Sequence, residues 1–241
     1  MKYLSSFYWR QKDGIPNRTS VLLQQGTCGR NSVLFACVCT DGHTAAGRAS
    51  GYLTGQLSEW FYRWGMKNLS RGGEKKIREM QEGIAEAVCK IDQELLTNEK
   101  SRGVLCREAA ADLAGIVCVE DNFVLFYRGA QRIYHINTKC LRPHLKCLTG
   151  EQERDIFCRT SHCGGTLNIK SGVIQPETGI LLATESFCKG LEEKMLAECL
   201  SVSQLSTQSK LDKHIRELGA EAERAAKQEI SDVAAVAAVA E

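Results

Sequence analysis

Apolar positions in this chain change period several times, and the changes come in blocks. Residues 19 to 40 read as strand, turn, strand: "TSVLLQQ" is apolar with a polar end, "GTCGRNS" is a loop, and "VLFACVCT" is an uncharged run of buried-strand length. After Gly47 the spacing becomes three and four. Ala49, Leu53, Leu57, Trp60, Phe61 and Trp64 predict an amphipathic helix that "SRGG" ends. A second helix starts near Glu74, where glutamates suit the helix dipole, and carries Ile77, Met80, Ile84, Ala87, Val88, Ile91 and Leu95 on one stripe. From Gly103 to Ile174 the texture is β, with turns expected at "EDN" and "RGAQ". "ILLAT" is another buried strand, "ESFCKGLEEKMLAECLS" a helix, and Ser206 to Glu229 a long polar helix striped by Leu211, Ile215, Leu218, Ala222 and Ala225. The closing "ISDVAAVAAVAE" is ambiguous: alanine favours helix, and valine recurs every three residues.

Helices and strands thus come in runs, which argues an α+β fold over a doubly wound parallel sheet. No repeat, linker or low-complexity segment divides the 241 residues, so one domain over 1–241 is expected. A formal net charge of +2 gives no electrostatic footprint for nucleic acid. No apolar run reaches bilayer length, and the first residues lack a signal-like apolar stretch, so no membrane partner and a cytoplasmic location are expected.

Twelve cysteines run from Cys28 to Cys199, several inside strand-like apolar runs, and no Cys-x-x-Cys pair occurs. Reduced, buried thiols are the expectation. The densest group of soft ligands is Cys140, His144, Cys147, Cys158, His162 and Cys163, whose spacing matches no standard zinc module.

Five stretches in order resemble the metal-dependent (PPM, type 2C) serine/threonine protein phosphatases, with the compact bacterial members as the nearest likeness. They are "GIPNRTSVLL", "VLFACVCTDGHTAAGRAS", "AADLAGIVCVEDNFVLFYRGAQRIYHI", "GILLATESFCKGL" and "EISDVAAVAAV". The resemblance implies a four-layer α-β-β-α sandwich: two mainly antiparallel sheets flanked by helix pairs, 47–69 with 74–99 and 187–200 with 206–229. It makes the C-terminal segment a core strand. It also implies hydrolysis of phosphoserine and phosphothreonine at a two-metal Mn²⁺ or Mg²⁺ site, where carboxylates hold the cations and the metals generate hydroxide.

Carried over residue by residue, the resemblance leaves that site thin. Asp41 and Gly42 match the family's Asp-Gly, whose carboxylate bridges both metals and whose glycine carbonyl binds one. The loop beyond is shorter, and His43-Thr44-Ala45-Ala46 replaces a Gly-Gly pair. Thr19 stands where an acidic residue belongs, and Gly14 where the phosphate-gripping arginine belongs, with Arg18 out of register. Ala130 and Gln131 replace an Asp-Ser pair, while Gly129 and Arg132 remain. Glu185-Ser186 replaces Asp-Gly, and Ser231-Asp232 replaces Asp-Asn. Glu185 is an altered candidate ligand. Asp232 is a weaker one, since a one-residue slip in a strand turns a side chain to the other face.

The reading that follows is a pseudophosphatase: the fold is kept, the metal site has decayed, and the domain recognises a phosphoprotein or other protein partner. The alternative is an active, divergent Mn/Mg-dependent phosphatase using Asp41, Glu185, Asp232 and His43. A thiol or metal sensor built on the cysteines is a third class. Each residue also has a plainer use. Asp-Gly suits a turn after a strand, Glu185 suits a helix N-terminus, and the Trp60, Phe61, Trp64 stripe suits a core.

Overall fold

The computed structural model describes residues 2–10, 17–41, 48–68, 75–100, 111–137, 144–149, 159–162, 165–189, 191, 195–196, 198, 207–226 and 233–240. Two sheets stack with helices outside them. One sheet contains β2 (Thr19–Cys28), β3 (Asn31–Asp41), β4 (Ala111–Val119), β5 (Asn122–Arg128), β9 (Gly165–Val173) and β8 (Arg159–His162), in that order. The other runs β1 (Tyr3–Trp9), β11 (Ala234–Ala240), β10 (Thr178–Ala183), β6 (Arg132–Asn137) and β7 (His144–Cys147). Among the described residues every pairing is antiparallel. Helices α1 (Arg48–Asn68) and α2 (Lys75–Lys100) cover the first sheet, and α3 (Glu185–Lys189) and α4 (Gln208–Ala226) the second. This is the expected α-β-β-α sandwich.

Strand alternation sorts the side chains into three apolar layers. In β3, Phe35, Cys37 and Cys39 face α1 and α2, whereas Leu34, Ala36 and Val38 face the second sheet. In β11, Ala235, Ala237 and Val239 face α3 and α4, whereas Ala234, Val236 and Ala238 face the first sheet. All seven residues of β11 are buried, flanked by β1 and β10. Small side chains fit a strand covered on both faces, and that tertiary fit overrides alanine's helix preference.

Some boundaries differ from expectation. The loop expected over "GTCGRNS" shrinks to Gly29-Arg30, because β2 continues through Cys28 and Gly29 supplies the positive φ (65°) of the turn. β1 has no counterpart in the hydrophobic pattern. Glu74, where the second helix is expected to start, lies outside the described residues, and the first described turn of α2, from Lys75, holds no acid. The helix over "ESFCKGLEEKMLAECLS" begins at Glu185, as the pattern gives it and two residues before the 187 that the resemblance implies; it is described continuously to Lys189, with 195, 196 and 198 also helical. Of the zinc-type group, Cys140, Cys158 and Cys163 lie outside the described residues. His144 and His162 stand on edge strands of different sheets.

Seven described cysteines are free thiols. Burial pushes Cys118 from the usual 9.0 up to about 12 and Cys188 up to about 11. Burial likewise raises Tyr3, and Cys39 beside the Cys37 sulfur. Each group ionises earlier in the unfolded chain than in the folded one, so stability is fully present below pH 9 and falls as pH rises through the folded values. A urea midpoint that is constant from pH 6 to 8 and lower at pH 10.5 is expected. An unchanged midpoint at pH 10.5 would refute it.

Candidate functional site

Of the residues singled out by sequence, the described ones lie at strand ends on one end of the sandwich. Asp41 closes β3, opposite Ala111 at the start of β4. Arg128 closes β5, and Gly129, Ala130 and Gln131 lead directly into Arg132 of β6. Arg132 pairs with Ala183, the last residue of β10, and Ala183 with Ala235 of β11. Trp9 closes β1, and its indole N–H donates to the Thr19 carbonyl (3.1 Å), joining the two sheets at this end.

Within that end the carboxylates diverge. Asp41 follows Cys37 and Cys39 by twos, which puts its side chain on the helix-facing side. Its Oδ1 accepts the backbone N–H of Ser50 in the first turn of α1, at 2.5 Å, and its own N–H donates to the Arg18 carbonyl, at 2.7 Å. A carboxylate there caps an orphan helix donor and meets the positive end of the helix dipole. Asp41 is 6% exposed.

Glu185 belongs to the opposite layer. It is the first residue of α3, its side chain is 44% exposed, and it pairs with Lys189 at 3.4 Å. Thr184, just before it, holds the corner. Its hydroxyl accepts the N–H groups of Phe187 (3.2 Å) and Ala234 (3.1 Å), and its N–H donates to the Ala234 carbonyl (3.0 Å). Its signal in the sequence, a threonine just before a helix start, is that of a simple N-cap and is absent from the candidates read from sequence. Gly42, His43, Ser231 and Asp232 lie outside the described residues, as does Gly14. Thr19 starts β2 with its hydroxyl donating to the Asn17 side-chain oxygen at 2.8 Å, a local turn bond.

Two further acids matter here. Asp112 pairs with Thr40 across β3 and β4, so it lies on the sheet face opposite Asp41. Its Oδ2 accepts the N–H of Ala130 at 3.0 Å. Gly129 has φ 76°, and an added Cβ there would overlap the Asp112 carboxylate. Asp112 thus supplies a carboxylate beside Ala130, the position where the family pattern has one. The second acid is Asp92 of α2, paired in a two-point fork with Arg128. Nη2 donates to Oδ1 at 2.8 Å, Nη1 donates to Oδ2, and Nε donates to the Ala111 carbonyl at 2.8 Å. The pair is 1% and 5% exposed. An arginine ending the apolar run "NFVLFY" was its only signal in the sequence.

A two-cation Mn²⁺ or Mg²⁺ centre needs several carboxylate oxygens converging on one point. The described residues do not fit it. Asp41 turns to α1, Asp112 to the β5–β6 turn, Asp92 to Arg128 and Glu185 to Lys189. Among the described residues, no three His, Cys, Asp or Glu side chains come together as a metal-holding group.

No family model matches the sequence, and no curated protein matches it significantly. Solved structures do resemble it throughout. The catalytic domain of the serine/threonine protein phosphatase PstP, in complex with two manganese ions, superposes with a TM-score of 0.67 at 13% identity, covering 99% of this chain and 97% of that one. The Mycobacterium tuberculosis phosphatase PstP/Ppp gives 0.67 at 14% identity, covering 100% and 98%. PppA, a regulatory component of T6SS in Pseudomonas aeruginosa, gives 0.62 at 15%, covering 100% and 99%. The chain therefore has the fold of the metal-dependent (PPM, type 2C) serine/threonine phosphatases. Among the described residues, no helix is long and apolar enough to cross a membrane.

Proposed function

We propose that this chain is a pseudophosphatase: one phosphatase-type domain, cytoplasmic, acting as a binding or regulatory module for a phosphoprotein or another protein partner. The observation that supports it most is the orientation of Asp41. The one carboxylate retained from the family's metal motif caps α1, and the next candidate, Glu185, belongs to the opposite helical layer. Free thiols at every described cysteine suit a reducing compartment. The test is hydrolysis of p-nitrophenyl phosphate with millimolar Mn²⁺ or Mg²⁺. Turnover equal to a protein-free control is expected. Metal-dependent turnover that Asp41→Asn abolishes would overturn the proposal.

One observation favours a second reading. Asp112 places a carboxylate beside Ala130, at the same end as Asp41. An active, divergent phosphatase with a rearranged Mn²⁺ or Mg²⁺ site would draw on Asp112 as well as Asp41. Metal-dependent turnover lost in Asp112→Asn would select it.

A further inference from the structure

We propose that the groove between α1 and α2, on the outer face of the molecule, docks an arginine-bearing peptide segment of a partner protein. The proposal is independent of the state of the metal end. The groove floor is aromatic. Trp60 and Trp64, about one turn apart on α1, stack with ring centroids 5.5 Å apart and planes 21° apart. Gly83 of α2 makes room for them: a Cβ there would lie 3.1 Å from Trp64 Nε1 and 3.3 Å from Trp60 Cζ2. A cavity of about 410 Å³ opens on one side of the indoles and another of about 400 Å³ adjoins it, sharing both rings.

The rim is acidic, although the whole chain carries +2. Glu59, Glu79, Glu82, Glu86 and Glu94 line the two cavities against Arg63 and Lys90, five carboxylates to two cations. Both cations are mostly exposed (74% and 78%) and are taken by Glu59 and Glu94, while Glu82 pairs with Arg78. Glu79 and Glu86 have no ion pair among the described residues. Flat π-faces beside carboxylates lacking a cation are the chemistry that receives a guanidinium. Its plane stacks on indole while its edge donates to carboxylate, which a lysine ammonium matches less well.

The probe is the blocked peptide Ac-Gly-Arg-Gly-Arg-Gly-Arg-Gly-NH2, titrated into the full chain by calorimetry and followed by the three indole N–H resonances. Saturable one-to-one binding is expected, with the Trp60 and Trp64 signals shifting and the Trp9 signal still. Binding should weaken in the Glu79→Gln/Glu86→Gln variant by about fivefold, the scale of two partly exposed charge contacts. Both positions are exposed on α2, so the variant is expected to fold, and an unchanged circular-dichroism melt checks it. The citrulline version of the peptide should not bind. Absence of saturable binding, unmoved Trp60 and Trp64 signals, wild-type affinity in the double variant, or equal binding of the citrulline peptide would each overturn the proposal.

Discussion

Arg128→Met is expected to lower the unfolding free energy by about 3–5 kcal/mol, and Asp92→Leu by a similar amount. Each single change strands a buried charge, since Arg128 and Asp92 are 1% and 5% exposed and each is the other's ionic partner. The Asp92→Leu/Arg128→Met double variant removes both charges and should recover most of the loss. It will stay about 1 kcal/mol short, because the Ala111 carbonyl loses the Nε donor. Urea denaturation of all four proteins checks this. Single variants losing under about 1 kcal/mol, or a double variant losing the sum, would show that the pair does not tie α2 to the sheet as described.

The second large effect comes from Gly219 in α4. Alanine would normally stabilise a helix interior by up to about 1 kcal/mol over glycine. At this site its Cβ would overlap the base of the Tyr8 ring on β1, so α4 must lift from the strand it covers. Overpacking of this kind costs about 1–3 kcal/mol, which outweighs the propensity gain. Gly219→Ala should therefore destabilise the protein. In a Tyr8→Ala background the same change should stabilise it. A Gly219→Ala variant that melts higher than wild type would refute the contact.

Much of the layer order was legible because its signals are local. The Leu53, Leu57, Trp60 and Trp64 stripe defines α1 without reference to anything else, and the stripe of α4 does the same. The strand at Ala234–Ala240 was legible only through the family resemblance, because its alanines favour helix until β1 and β10 enclose them. β1 was missed for a related reason. As an edge strand it leaves Phe7 and Trp9 52% and 41% exposed, so its apolar residues do not alternate cleanly.

The candidate site was less legible because its contacts join distant parts of the chain. The resemblance pointed to Asp41 but could not show which way it faces. That depends on the alternation begun at Phe35 and on the N–H of Ser50, nine residues on. Asp112 looked like one polar residue before an apolar run. Its importance appears only when β4 and the β5–β6 turn meet. Arg128 similarly needs Asp92 from another helix before it makes physical sense.

The proposed function requires Asp41 to serve as a helix cap and not as a metal bridge. Equilibrium unfolding of the wild-type chain and Asp41→Asn, each with and without 5 mM Mn²⁺, tests it most directly. The expected result is no stabilisation by Mn²⁺ in either protein, and a loss of only about 0.3–1 kcal/mol in Asp41→Asn whether or not Mn²⁺ is present, because asparagine still accepts the Ser50 N–H and only the charge–dipole attraction is removed. A retained site with a Kd one hundredth of the metal concentration would instead stabilise the wild type by about 2.7 kcal/mol. Stabilisation on that scale in the wild type, absent in Asp41→Asn, would contradict the account.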